Sequence, residues 1–173
     1  FFDKGATIRG GLLVTDDKTR PYEFRCTSSI KPTTLQRMLY GDTLEEYIHV
    51  ELIGLPLLNA SKEKPTLVLV QNPSLIQIRP LVPYPVALIK RDSKSELGTV
   101  DSQDQQKAPI VLVVHRDFSS ERAIVQADLG DIIRQRDLIE PFDRLRIALN
   151  EAHRQGIGDH PTEEKGARIT KTA

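Results

Sequence analysis

The run TLVLV at residues 66–70 constrains this chain most. It is continuous, apolar and rich in β-branched side chains, the pattern of a strand buried on both faces, so a central strand is expected there. VALIK at 86–90 resumes as a second strand. Between them, residues 72–85 carry prolines at 73, 80, 83 and 85. Proline donates no ladder hydrogen bond, so extended or edge structure is expected over that stretch.

Two further segments read as β-hairpins. GGLLVT, DDKTR and PYEFRCT form an apolar run, a polar turn and an alternating run. In the second of these strands Tyr22, Phe24 and Cys26 share one face, and Glu23, Arg25 and Thr27 share the other. PIVLVVH at 109–115 and RAIVQADL at 122–129, joined by RDFSSE, predict the second hairpin.

Helix signals follow each of them. Thr33 with Gln36 has capping-box spacing and Gly41 supplies a stop, which predicts a short helix over TTLQRMLY. Asp42 with Glu45 starts a second helix, with Leu44, Tyr47, Ile48, Leu52 and Leu55 at helical spacing, running to about Gly54 before a loop LPLLNASKEKP. Near the other end DIIRQRDLI is followed by PFDRLRIALNEAHR, in which Phe142, Leu145, Leu149 and Ala152 share a face. The expected class is therefore α+β: a small mixed sheet built from two hairpins plus central strands, each hairpin followed by two short amphipathic helices. That order fits an internal duplication, and equally two ordinary hairpins.

The chain is long enough, at 173 residues, for a core without disulfides or metal. A single domain over 1–155 is expected, with a mobile polar insertion at about 92–108, where large apolar side chains are almost lacking, and a flexible tail at 156–173. Lys plus Arg and Asp plus Glu both number 24, so whole-molecule attraction to nucleic acid or an anionic membrane is not indicated. The single cysteine leaves no intrachain disulfide and no thiolate zinc pattern. No apolar run approaches a membrane span and FFDKGATIRGG lacks signal-peptide order, so a cytoplasmic location is expected.

Candidate chemistry concentrates in TSSIKPTT, residues 27–34. Hydroxyls, amide groups and a cation beside a helix start can cradle a phosphate or carboxylate, which makes Ser28, Ser29, Lys31 and Thr33, with Arg25 and Arg37, a candidate ligand set. The same residues also serve as an ordinary cap and turn. Cys26, on a face with Tyr22 and Phe24, reads as a small buried hydrophobe rather than a nucleophile. HRD at 115–117 is not a kinase loop, because Arg122 stands where that motif needs Asn. GATIRGG is not a phosphate loop, because Gly11 and Leu12 replace its Lys and Ser/Thr. His153 and His160 lie near Glu151 and Asp159 in a glycine-containing tail and are read as solvent-exposed rather than metal-binding, so neither metal nor cofactor is expected.

From Arg116 to Arg154 seven arginines and no lysine are interleaved with eight acids. Arg134, Arg136, Arg144 and Arg146 are the candidate interface residues, since the guanidinium fork suits paired hydrogen bonds across an interface. Intrahelical ion pairs account for the pattern equally well. The leading functional expectation is a protein-interaction or assembly module, a subunit of a larger complex or a homo-oligomer. The alternative is an enzyme or binding domain acting on a phosphorylated ligand or nucleic acid through residues 27–34.

Overall fold

The computed structural model describes residues 2–3, 7–91 and 109–157. The insertion expected at 92–108 and nearly all of the expected tail, His160 included, lie outside them. Within the described residues the class is α+β, with a mixed sheet of three strands and two separate two-stranded antiparallel ones, so the first hairpin stands apart from the mixed sheet it was expected to join.

Strands β1 (Phe2–Asp3) and β2 (Ile8–Arg9) pair briefly, and the first predicted hairpin follows as β3 (Gly11–Thr15) and β4 (Pro21–Cys26). Asp16 shapes its turn: one carboxylate oxygen accepts from the amides of Lys18 (2.9 Å) and Arg20 (2.8 Å), while Thr19 takes a left-handed φ of 61°. A bulge sits between Val14 and Thr15, where Pro21 enters the strand.

Helix α1 (Thr34–Tyr40) starts at the predicted capping box. The Gln36 amide donates to Thr33 Oγ1 at 3.1 Å and the Thr33 amide donates to Gln36 Oε1 at 2.9 Å. Gly41, at φ 52°, ends it. A 3-10 turn over Gly41–Thr43 then leads into α2 (Leu44–Tyr47), a π-helical stretch Ile48–Gly54, and α3 (Leu55–Ala60). The helix thus continues through Gly54 rather than yielding to the expected loop. Pro56 follows directly on the π-helical stretch, inside the continuous helix, and donates no amide hydrogen bond there.

The segment expected to be extended between the strands is instead largely a 3-10 helix, Pro73–Leu81. Asn72 caps it by accepting the Ser74 amide at 2.9 Å, and Pro73 supplies a preset φ at its first turn. Only Pro83 and Pro85 remain outside it.

Strand β5 (Val68–Val70) runs parallel to β6 (Val86–Arg91), which pairs antiparallel with β7 (Ile110–Val114). The central strand is therefore β6, with Val86, Ala87, Leu88 and Ile89 all buried, and TLVLV occupies an edge. One face of the sheet buries Val68, Val70, Val86 and Leu88 with Val50, Leu58 and Ile78. The other buries Ala87, Ile89 and Leu112 against Val125 and Leu129.

The second predicted hairpin does not form, because residues 122–129 belong to α4 (Glu121–Gln135). Val125 and Leu129, one helical turn apart, are the positions that reach the sheet, and a strand would bury alternate residues instead. His115 starts the change of direction: its Nδ1 accepts the Asp117 amide at 3.2 Å and its carbonyl accepts the Phe118 amide at 3.0 Å. β7 pairs back with β6, and the duplication reading falls with the hairpin. Helix α5 (Glu140–Arg154) buries Leu149 and Ala152 as expected. A Cβ on Gly11 would stand 2.9 Å from Leu145 Cδ1 and Leu149 Cδ2, so glycine there lets β3 lie directly against α5.

Candidate interaction surface

Strand β4 is covered on the face opposite to the one expected. Tyr22 is 68% exposed and Phe24 40%, and Cys26 on that face is half-buried rather than core. The inward face carries Glu23 and Arg25. The Glu23 carboxylate accepts the Ser61 hydroxyl at 2.9 Å and the amides of Lys62 (3.0 Å) and Glu63 (3.4 Å), and Arg25 Nε donates to it as well. Partial burial acts upward on its pKa but is outweighed by these donors, which hold it down from 4.5 to about 2. This carboxylate pins β4 to the turn after α3.

Part of the backbone after β4 is already committed. The Thr27 amide donates to Gly10 O at 3.0 Å, and Ile30 and Ile8 exchange backbone hydrogen bonds of 2.9 Å. The Gly10 amide uses the Thr27 hydroxyl at 3.1 Å, and Thr33 is spent on its cap. Of the six candidate ligand residues, Ser28, Lys31 and Arg37 are exposed, Ser29 is half-buried, Thr33 is a cap, and Arg25 lies with Glu23 on the inward face of β4. The amides at 27, 30, 33 and 36 donate within the fold, which leaves fewer of them to serve a ligand.

Helix α1 carries the feature that sequence reasoning missed. It buries no residue. Leu35 (64% exposed), Met38 (78%) and Leu39 (73%) stand at i, i+3 and i+4, forming one apolar stripe that faces solvent. Arg37 and Tyr40 lie toward the other side of the turn, and Tyr40 reaches back to stack on Tyr47 with ring centroids 4.6 Å apart. The helix is therefore mounted with its apolar side outward, against the usual rule that an amphipathic helix turns that side to the core. The spacing was legible in the sequence, but the direction of the stripe was not.

The four candidate interface arginines do not gather into one patch of free forks. Arg134 pairs with Asp131 at 2.5 Å and Arg146 with Asp143 at 3.0 Å, both three residues away on their own helices. Arg144 pairs with Glu140 at 2.9 Å and also donates to Thr19 O at 2.7 Å, tying α5 to the first hairpin turn. Arg136 is exposed beyond the end of α4, its amide closing on Ile132 O at 2.8 Å.

Two open clefts flank the 3-10 helix and share Gln77 and Pro80. One, of about 390 Å³, is lined by Tyr40, Tyr47 and Leu81, and the other, of about 560 Å³, by Val113, His115 and Asp117. His115 is buried and engaged at both ring nitrogens, with Nε2 lying 3.0 Å from Gln77 Oε1. Among the described residues no group of three potential metal ligands lies together, and no helix is long and apolar enough to cross a membrane. No protein-family model, curated protein or solved structure significantly matches the chain.

Proposed function

We propose that the protein is an interaction or assembly module that docks through α1. The observation that carries this reading is the solvent-facing stripe of Leu35, Met38 and Leu39 on a helix with no buried residue. Three anchors at i, i+3 and i+4 are the pattern by which a helix seats in an apolar groove, and contiguous exposed apolar surface marks interaction sites. From Leu35 to Leu39 the stripe spans about 6 Å of helix rise. Exposed Lys31 before the helix and Arg37 upon it fit a groove with an acidic rim, so the occupant is a protein partner of that chemistry.

A photo-cross-linking residue placed at Met38 tests the proposal. It should trap a protein that, once identified and purified, binds the chain again, and Leu35→Ser with Leu39→Ser should abolish that binding. Lys31→Ala alone should leave it within a few fold. The competing reading, a phosphorylated ligand held by residues 27–34, is weakened by the committed amides. It would regain ground if nucleotides or short nucleic acids raised the melting temperature and Lys31→Ala with Thr33→Ala removed the shift.

A further inference from the structure

The open edge of β4 is a second surface, independent of α1, and its sequence is complementary to itself. In the β3–β4 ladder Gly11 faces Cys26, Leu12 faces Arg25, Leu13 faces Phe24 and Val14 faces Glu23. The Thr27 amide donates to Gly10 O, which makes Gly11 and Cys26 a non-hydrogen-bonded pair and, by alternation, Leu13 and Phe24 another. The backbone N–H and C=O groups of Phe24 and Cys26 therefore point away from β3, and among the described residues β4 pairs with no other strand. Pro21 and the bulge beside it close off the start of the edge, which leaves residues 22–26 without a second strand neighbour among the described residues.

We propose that β4 pairs antiparallel with β4 of a second copy across a two-fold axis at Phe24, joining two hairpins into a four-stranded sheet. In that register Phe24 faces Phe24 of the second copy as a hydrogen-bonded pair, which is what its outward N–H and C=O require. Cys26 faces Tyr22 of the second copy. Glu23 faces Arg25 of the second copy, and Arg25 faces Glu23, so both charged positions meet opposite charges. Shifting the register by two residues in either direction loses this match, because it sets Glu23 against Glu23 or Arg25 against Arg25. A two-fold interface must be self-complementary in this way. The aromatic side chains at the join, Phe24 and Tyr22, are already exposed, and a formal net charge of zero leaves no overall repulsion between copies. The proposal belongs to the assembly reading but does not use the α1 stripe, so either can fail without the other.

Sedimentation of the purified chain at micromolar concentration should give the mass of two chains, and monomer mass throughout would overturn the proposal. Phe24→Lys and Phe24→Asp should each halve that mass by setting like charges across the axis, and an equal mixture of the two should restore it. Variants that stay dimeric alone would overturn the assignment to β4. Amide exchange on the unmodified protein gives the same answer without substitution: the Phe24 and Cys26 amides should slow at least tenfold as concentration rises into the dimer range, and unchanged exchange would contradict the pairing. Leu35→Ser with Leu39→Ser should leave the dimer mass intact, separating this surface from α1.

Discussion

Arg79 and Glu121, far apart in sequence, are joined side chain to side chain: Arg79 Nε donates to Glu121 Oε2 at 2.8 Å, and the second guanidinium nitrogen reaches Oε1. Arg79 also lies 4.0 Å from the Phe118 ring centroid and donates to Val82 O at 2.8 Å. The pair fastens the 3-10 helix to the start of α4, and its side chains are only 12% and 15% exposed. Glu121→Gln should cost about 1–2 kcal/mol, read from the urea midpoint, because a charge-assisted two-point contact becomes a neutral one. Arg79→Lys should not be silent either, since lysine lacks the fork and stacks poorly on Phe118.

Glu23 gives the molecule a specific acid sensitivity. Its carboxyl is held down from 4.5 to about 2, with burial acting upward and the donors from Ser61, Glu63, Arg25 and Lys62 outweighing it. A depressed folded-state pKa contributes stability that is fully present above the unfolded value and is lost as pH falls toward the folded one. The melting temperature should therefore drop between about pH 5 and pH 2, and Glu23→Gln should flatten that slope while lowering stability at neutral pH. A slope identical in the variant would show that the carboxylate is not held this way. The residual slope belongs partly to Glu121, whose carboxyl Arg79 also holds low.

Gly54 marks where the π-helical stretch and the 3-10 helix touch. An added Cβ would stand 2.1 Å from Ile78 Cδ1 and 3.1 Å from the His49 carbonyl oxygen. Gly54→Ala should destabilise by about 1–3 kcal/mol through overpacking. Adding Ile78→Val to Gly54→Ala should recover part of the loss, so the two changes together should cost less than their sum in chemical denaturation.

The capping box of α1 separates local from global stability. Thr33→Ala removes the acceptor of the Gln36 amide and should weaken the helix by about 1 kcal/mol. Because α1 buries no residue, amide exchange along Thr34–Tyr40 should speed up severalfold while the global melting temperature barely moves. A large fall in melting temperature would mean that the helix supports the core.

Local signals wrote much of this fold legibly. The first hairpin and the Thr33 and Gln36 cap rest on contacts within a few residues, and the apolar face of α5 shows in its helical spacing. Residues 122–129 misled because Ile124 and Val125 favour strands, whereas the burial of Val125 and Leu129 against the sheet, with Ile124 left 54% exposed, imposes a helix. Proline spacing at 73–85 spoke against a strand but gave no sign of the capped 3-10 helix. Alternation in β4 distinguished its two faces, but its apolar side chains pointed to the wrong one as inward. The inward face is chosen by Ser61, Lys62 and Glu63, roughly forty residues away, through Glu23. The α1 stripe was missed for a related reason: a sequence shows that apolar residues share a face, while only the packed structure shows that the face is uncovered.

The most direct test of α1 as a docking surface compares two properties of one variant, Leu35→Ser/Met38→Ser/Leu39→Ser. Exposed residues outside the core should be dispensable for folding, so its unfolding free energy should stay within about 0.5 kcal/mol of the parent. The native mass of the tagged chain drawn from its own cells should fall from that of a complex containing the partner trapped at Met38 to that of the chain without it. A variant that keeps the partner, or that loses several kcal/mol of stability, would contradict the account.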